Sequence, residues 1–185
     1  MKRTIVTLIL LLFMIQVQLL AVRRRGDYFT RPQVGVQFGP YTPLFEVGEE
    51  VDSAIGFGAF TRIQIPRTPF KIGYDIMYHK HESMQNNALQ LMPMYGSLQY
   101  RLPIDSPLNF QLRAGAGSTA LWTEPDNMHR WDPTGMAGFE VSFPAGRIIN
   151  LGLRLDYLLL YEKHLEGAEV NGHFLDASLC VFFNL

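Results

Sequence analysis

Cysteine is almost missing from this chain: Cys180 is the only one among 185 residues. An intramolecular disulfide and a cysteine metal cluster are therefore excluded. An excess of either charge is missing too, with 16 Lys and Arg against 17 Asp and Glu and a net charge of −1. No basic excess exists to hold nucleic acid. Beyond residue 22 there is no run of 18 apolar residues, which removes a membrane-crossing helix from that part of the chain. Heptads and repeats of fixed period are absent as well, so coiled coils and solenoids drop out.

What the chain does have begins at its N-terminus. Lys2 and Arg3 precede an apolar run from Ile5 to about Ile15, and a small residue stands at Ala21. Residues 1–21 read as an export signal to be left out of the fold. Leu19 and the triplet Arg23, Arg24 and Arg25 fit cleavage poorly, and Thr4 to Val22 is long enough to span a bilayer as an uncleaved helix. Gln16 and Gln18 weaken that alternative. Without the signal the chain keeps 14 basic and 17 acidic residues, a net charge of −3, in a length normal for one domain. Residues 22–32 form a short basic lead-in, and residues 33–185 form the domain.

Within that domain the apolar residues recur every second position. From Ile149 the odd positions carry Ile149, Leu151, Leu153, Leu155, Tyr157, Leu159 and Tyr161, and the even ones start Asn150, Gly152, Arg154 and Asp156. The closing segment sets Leu175, Ala177, Leu179, Val181, Phe183 and Leu185 against Asp176, Ser178, Cys180, Phe182 and Asn184. Alternation over about ten residues with one almost purely apolar face is the pattern of a membrane-spanning strand. Strands cross a bilayer only in a closed barrel, because lipid offers no partner to an open sheet edge.

Eight strands are predicted: Gln33 to Tyr41, Ile55 to Ile65, Phe70 to His79, Ala88 to Leu102, Leu108 to Ala120, Thr134 to Phe143, Ile148 to Tyr161 and Phe174 to Leu185. The fourth is irregular, with Leu89, Leu91 and Tyr95 opposite Met92, Met94, Leu98 and Tyr100, and a bulge at Pro93 would explain a change of face. The short links Pro66–Pro69, Pro103–Pro107 and Pro144–Arg147 alternate with long ones near Thr42–Ala54, Lys80–Asn87, Leu121–Pro133 and Glu162–His173. That alternation fits periplasmic turns, extracellular loops and both termini in the periplasm. The predicted fold class is thus all-β: an eight-stranded antiparallel up-and-down transmembrane β-barrel.

The polar face decides which side is lipid. It is rich in glycine rather than in Lys, Glu and Thr, with Gly35, Gly39, Gly56, Gly58, Gly73, Gly115, Gly117, Gly138 and Gly152 on it. Small residues inside let a narrow barrel bend and leave room for long neighbours. The inward ionisable groups are Arg62, Lys71, Asp75, Arg113, Glu140, Arg154, Asp156 and Asp176, four of each sign. Such a balance predicts an internal network of ion pairs, with Glu140 facing Arg154 and Arg113 in reach of Glu140. The network either plugs the barrel or lines a narrow polar path. Tyr74, Tyr78, Tyr95, Tyr100, Tyr157 and Tyr161 are expected in aromatic girdles near the strand ends.

In these features the chain resembles the eight-stranded outer-membrane barrels of the OmpA transmembrane-domain, OmpX and OmpW type. The resemblance implies residence in the cell outer membrane among its lipids. It also implies recognition by the barrel-assembly machinery through the closing strand, where Leu179, Val181, Phe183 and Leu185 resemble that machinery's signal although the last residue is Leu rather than Phe. OmpW-like barrels imply a path for small hydrophobic molecules, and OmpX-like ones a structural or surface-exposed, ligand-contacting role. Lipid A deacylases of this shape use a histidine and a serine two apart on outward positions. No histidine is read as opening such a pair, and Ser83 is taken as a reverse-looking neighbour of His81 in a loop, so no catalytic residue and no cofactor is expected. His79 and His81 form only a candidate metal pair at the third strand's outer end, and no metal site is assigned. Trp122 and Trp131 flank the third long loop as candidate surface contacts. The alternative from another class is a soluble, exported lipocalin-like carrier of small apolar ligands; that class carries Gly-x-Trp on its first strand, and residues 33–41 hold no Trp.

Overall fold

The computed structural model describes residues 31–45, 47–82, 88–104, 106–124, 128–145, 148–161 and 171–185. The expected export signal, and all but the last two residues of the lead-in, lie outside them. Eight strands follow in order: β1 (Gln33–Leu44), β2 (Ala54–Gln64), β3 (Phe70–Glu82), β4 (Ala88–Arg101), β5 (Asn109–Glu124), β6 (Met128–Pro144), β7 (Ile149–Leu160) and β8 (Gly172–Asn184), with one helical turn, α1 (Val47–Glu50), after β1. Each strand pairs antiparallel with its sequence neighbours, and β1 pairs with β8, so the sheet closes on itself. At the seam the Leu185 amide donates to the Pro32 carbonyl at 2.9 Å. Both ends of the barrel domain therefore stand beside the short links.

The stagger of the barrel can be walked along its cross-strand partners. Gln33 faces Arg62, which faces Gly73, then Ser97, Gly115, Met136, Leu158 and Phe174 in turn, and Phe174 faces Pro43. The path returns to β1 ten residues beyond its start. With eight strands, that stagger corresponds to a tilt of roughly 40°. A barrel this narrow has an interior that side chains can fill.

Facing follows the period of two. On β7 the even residues from Asn150 to Leu160 are buried, while Leu153 and Leu155 are exposed. On β8 Asp176, Ser178, Cys180 and Phe182 point in, and Leu179 and Phe183 point out. Glycines make the inside possible by the space they leave. A Cβ on Gly35 would run into the side chains of Phe60 and Phe182, both inward and both its cross-strand partners. A Cβ on Gly138 would overlap the carboxylate of Asp156, again its partner, and lie 2.8 Å from the Leu155 carbonyl oxygen.

The structure corrects four expectations. Pro93 causes no bulge: β4 keeps one register with β5 from Ala88 to Arg101, and Leu91, Pro93 and Tyr95 all face inward. Only the β3 ladder is interrupted there, between Ile76–Met94 and His79–Leu91, since proline has no amide to donate. Tyr95 is accordingly buried, its hydroxyl on Met77 Sδ at 3.7 Å, and belongs to no girdle. Strands β5 and β6 run on through most of the predicted long loop and leave only residues 125–127 between them. Strand β3 likewise continues to Glu82, past the predicted end at His79.

The glycine positions make a direct test. Gly138→Ala, forced against Asp156 and the Leu155 carbonyl, should cost about 1–3 kcal/mol of folding stability. Gly135→Ala, with nothing within 4 Å of the added carbon, should stay within about 0.5 kcal/mol. Denaturant unfolding of the two variants in the same detergent measures the difference.

Candidate functional site

Six ionised groups from five strands meet inside the barrel. Glu140 on β6 and Arg154 on β7 are cross-strand partners, so the pleat sets their side chains together. Arg154 donates to Glu140 Oε2 from Nη2 at 3.0 Å and from Nε at 3.2 Å. Arg62 on β2 reaches the same carboxylate, its Nη1 at 2.9 Å from Oε1 and 3.0 Å from Oε2. Arg154 Nη1 also meets Asp75 Oδ1 on β3 at 2.8 Å. Arg113 on β5 bonds the same Asp75 oxygen at 2.9 Å and forms a further ion pair with Asp156 on β7. The order Arg62–Glu140–Arg154–Asp75–Arg113–Asp156 alternates in sign from end to end.

Neutral groups and rings complete the packing. Gln99 accepts from Arg62 at 3.1 Å and donates to Ser97, whose hydroxyl donates to Asp75 at 3.2 Å. Gln37 accepts from Arg154. The Arg62 guanidinium lies 4.3 Å from the Phe182 ring centre and 4.7 Å from that of Phe60, and the Arg154 guanidinium lies 4.4 Å from Phe60. Cation–π contact suits a guanidinium that has left water. Asp75, Glu140, Asp156 and Asp176 are all 0% exposed, and none of the four inward cations exceeds 3%.

The structure thus sorts the sequence-predicted lumen residues into three groups. Six form the alternating chain, and Arg113 takes Asp75 and Asp156 rather than Glu140. Register explains this, because Glu140 faces Gln111 and Arg113 faces Gly138. Lys71 lies apart from the charge chain at the end of the barrel where Pro32 and Leu185 meet: it donates to Gln33 at 3.0 Å, and Gln33 donates to Asn184 at 2.6 Å. Asp176 accepts from Ser178 at 3.3 Å and faces Asp156 across the strand pair.

Sequence reasoning misses the other half of the interior. Above the charges, toward the long links, Tyr41, Leu91, Tyr95, Met136, Leu158, Leu160 and Phe174 form an apolar cluster, with Val47 of α1 packed against it. The signal is the run of inward apolar residues on β4, which the alternation alone assigns to a change of face. His79 and His81 also lie in this region rather than at an exposed strand end, and both are 0% exposed. The His79 ring stacks on Tyr41 at 3.8 Å and occupies the space over Gly56. The segment His81–Glu82–Ser83 does carry a His-x-Ser spacing, but His81 faces inward, its Nδ1 2.8 Å from the Asp52 carbonyl oxygen. Ser83 lies outside the described residues. Trp122 and Trp131 are not loop residues: they stand on the outer faces of β5 and β6 around His129, at 5.1 and 5.9 Å between ring centres. Leu179, Val181 and Phe183 lie on the outer side of β8, facing Phe38, Val36 and Val34 of β1, and Leu185 just past the strand is exposed as well.

A closed eight-stranded up-and-down barrel, polar and charged within and apolar without, is the fold of the small outer-membrane barrels, and this chain has it. Among solved structures it is similar to Neisserial surface protein A, at 10% identity over 83% of this chain and 97% of that one, with a TM-score of 0.64. It is also similar to a major outer membrane protein of Thermus thermophilus, at 10% identity over 84% and 98% with a TM-score of 0.51. The third is Ail, the attachment invasion locus protein of Yersinia pestis, at 10% identity over 83% and 99% with a TM-score of 0.50. No family profile matches the chain, and no curated protein matches it.

Breaking the charge chain in its middle should be costly. Glu140→Ala leaves Arg62 and Arg154 without a shared carboxylate and is expected to destabilise the barrel by about 3–5 kcal/mol. Asp176→Asn, which removes the acid facing Asp156, should leave stability unchanged or higher. Unfolding midpoints of both variants in one detergent or lipid system decide the ordering.

Proposed function

We propose that the chain is an integral protein of the cell outer membrane, exported by its N-terminal segment, and that it acts as a non-enzymatic scaffold with surface-exposed links. The observation that carries the membrane reading is polarity turned inside out. Large apolar side chains face outward on strands around the barrel, among them Phe38, Phe57, Ile72, Leu98, Leu112, Leu153 and Leu179, with Phe57 and Leu153 each 63% exposed. A belt of that extent is untenable in water, whereas lipid covers it without cost. The soluble carrier alternative needs the opposite arrangement, with an apolar interior along the whole barrel.

A plugged scaffold is favoured over a channel because the inward residues fill the lumen at the level of the charge chain, where each is close to fully buried. The apolar layer of Tyr41, Leu158 and Phe174 closes the same axis a second time. No catalytic pair is assigned, since His81 points inward. In this reading the partners are membrane lipid along the outer belt and the barrel-assembly machinery at the outer face of β8. On this reading Trp122 and Trp131 meet lipid headgroups, as aromatic side chains near strand ends do, and the links at that end are the surface available to small or host-derived ligands.

The test is the behaviour of the full chain expressed with its own leader. It should appear in the outer-membrane fraction, need detergent for solubility and migrate differently on a denaturing gel when left unboiled. A protein that is folded and soluble without detergent would replace this reading with the exported carrier. Within the membrane reading, Leu153→Arg should cost roughly 2–4 kcal/mol in lipid vesicles, as a lipid-facing charge near midplane does.

A further inference from the structure

The apolar half of the lumen holds polar atoms that its neighbours do not satisfy. His79 and His81 alternate on β3, so both rings enter the barrel from one strand face. Among the described residues, Nδ1 and Nε2 of His79, Nε2 of His81 and the Tyr41 hydroxyl are buried without a hydrogen-bond partner. Leaving such groups unpaired in an apolar setting is unfavourable for each one. His79 stacks on Tyr41 at 3.8 Å and His81 lies tilted to the same ring at 5.7 Å, contacts that leave the nitrogens unexplained.

The second of these histidines is already oriented as a ligand would be. His81 Nδ1 lies 2.8 Å from the Asp52 carbonyl oxygen, and a carbonyl can only accept, so that nitrogen carries the proton. The neutral ring then presents Nε2 as a lone pair. A ring N–H held by a backbone carbonyl is the common support of a metal-binding histidine.

We propose that His79 and His81 hold a first-row transition-metal ion inside the barrel, beneath the β1–β2 link, with monovalent copper as the preferred ion. The ligand set selects the ion. The two ring centres stand 6.3 Å apart with planes inclined by 31°, the side-by-side spacing of alternate residues on one strand face. No group of three His, Cys, Asp or Glu that could surround a metal occurs among the described residues, so the closed tetrahedral set a structural Zn²⁺ needs is missing there. The preceding inward residue of β3 is Met77, a soft thioether of the kind that favours Cu⁺.

The experiment is an anaerobic competition for Cu⁺ against a chromophoric chelator, using the detergent-folded full chain without a polyhistidine tag. One Cu⁺ per chain is expected. His79→Phe and His81→Phe keep a ring in each place, and unboiled gel mobility reports that the barrel still forms. Each should weaken binding by at least the 10–100-fold that loss of a supporting partner alone costs, and X-ray absorption of the wild-type complex should show two nitrogen ligands. His129→Ala, on the outer face, should change nothing. Absence of stoichiometric uptake, or equal affinity in the folded His79→Phe/His81→Phe double variant, would overturn the site. Tighter uptake of Zn²⁺ than of Cu⁺ would overturn the choice of ion.

Discussion

Everything inside this barrel depends on three guanidinium groups and three carboxylates neutralising one another out of water. A single buried ion would be prohibitively unfavourable there. A buried pair is at best near break-even, because desolvation offsets attraction. The chain from Arg62 to Asp156 avoids both outcomes by sharing. Glu140 serves Arg62 and Arg154, and Asp75 serves Arg154 and Arg113. Each inner member faces two opposite charges, so Coulomb attraction is gained twice for each desolvation. The strands holding these groups are β2, β3, β5, β6 and β7, so the network ties most of the circumference together across the lumen and reports a wrong register as an unpaired charge.

The lower and upper halves of the interior solve the same filling problem with different chemistry. Where the long cations sit, glycines on neighbouring strands give up their side chains, as Gly138 does for Asp156 and Gly35 does for Phe60 and Phe182. Toward the long links the volume is taken by Leu91, Leu158, Phe174 and the ring stack on Tyr41. Lipid-facing apolar side chains enclose both halves, so the backbone hydrogen bonds are satisfied within the closed sheet and no edge is offered to the bilayer.

The number of strands, their closure and the side each residue faces can be read from the sequence, because a period of two encodes facing and little else. On β7 and β8 the alternation is long enough to leave no second reading. Height along the barrel is not legible. Which inward groups share a level depends on the stagger of ten, which no single strand carries, so sequence matches Arg113 with Glu140 when its partners are Asp75 and Asp156. Strand ends are also hidden. Trp122, His129 and Trp131 look like loop residues between turn-forming neighbours, yet the β5–β6 ladder runs past them, with Trp122 against its cross-strand partner His129 and His129 against Trp131 on the same strand. The apolar upper lumen is obscured by Pro93, whose missing amide interrupts one ladder without turning the strand over.

Single-channel recording of the purified full chain in planar bilayers, with the wild type set beside Glu140→Ala, tests the filled lumen most directly. A lumen occupied by the charge chain and closed again by the Tyr41–Phe174 layer predicts no sustained unitary conductance for the wild type. Stable, ion-conducting steps from correctly folded wild-type protein would contradict it and would mean that the ionised groups line a path instead of filling one.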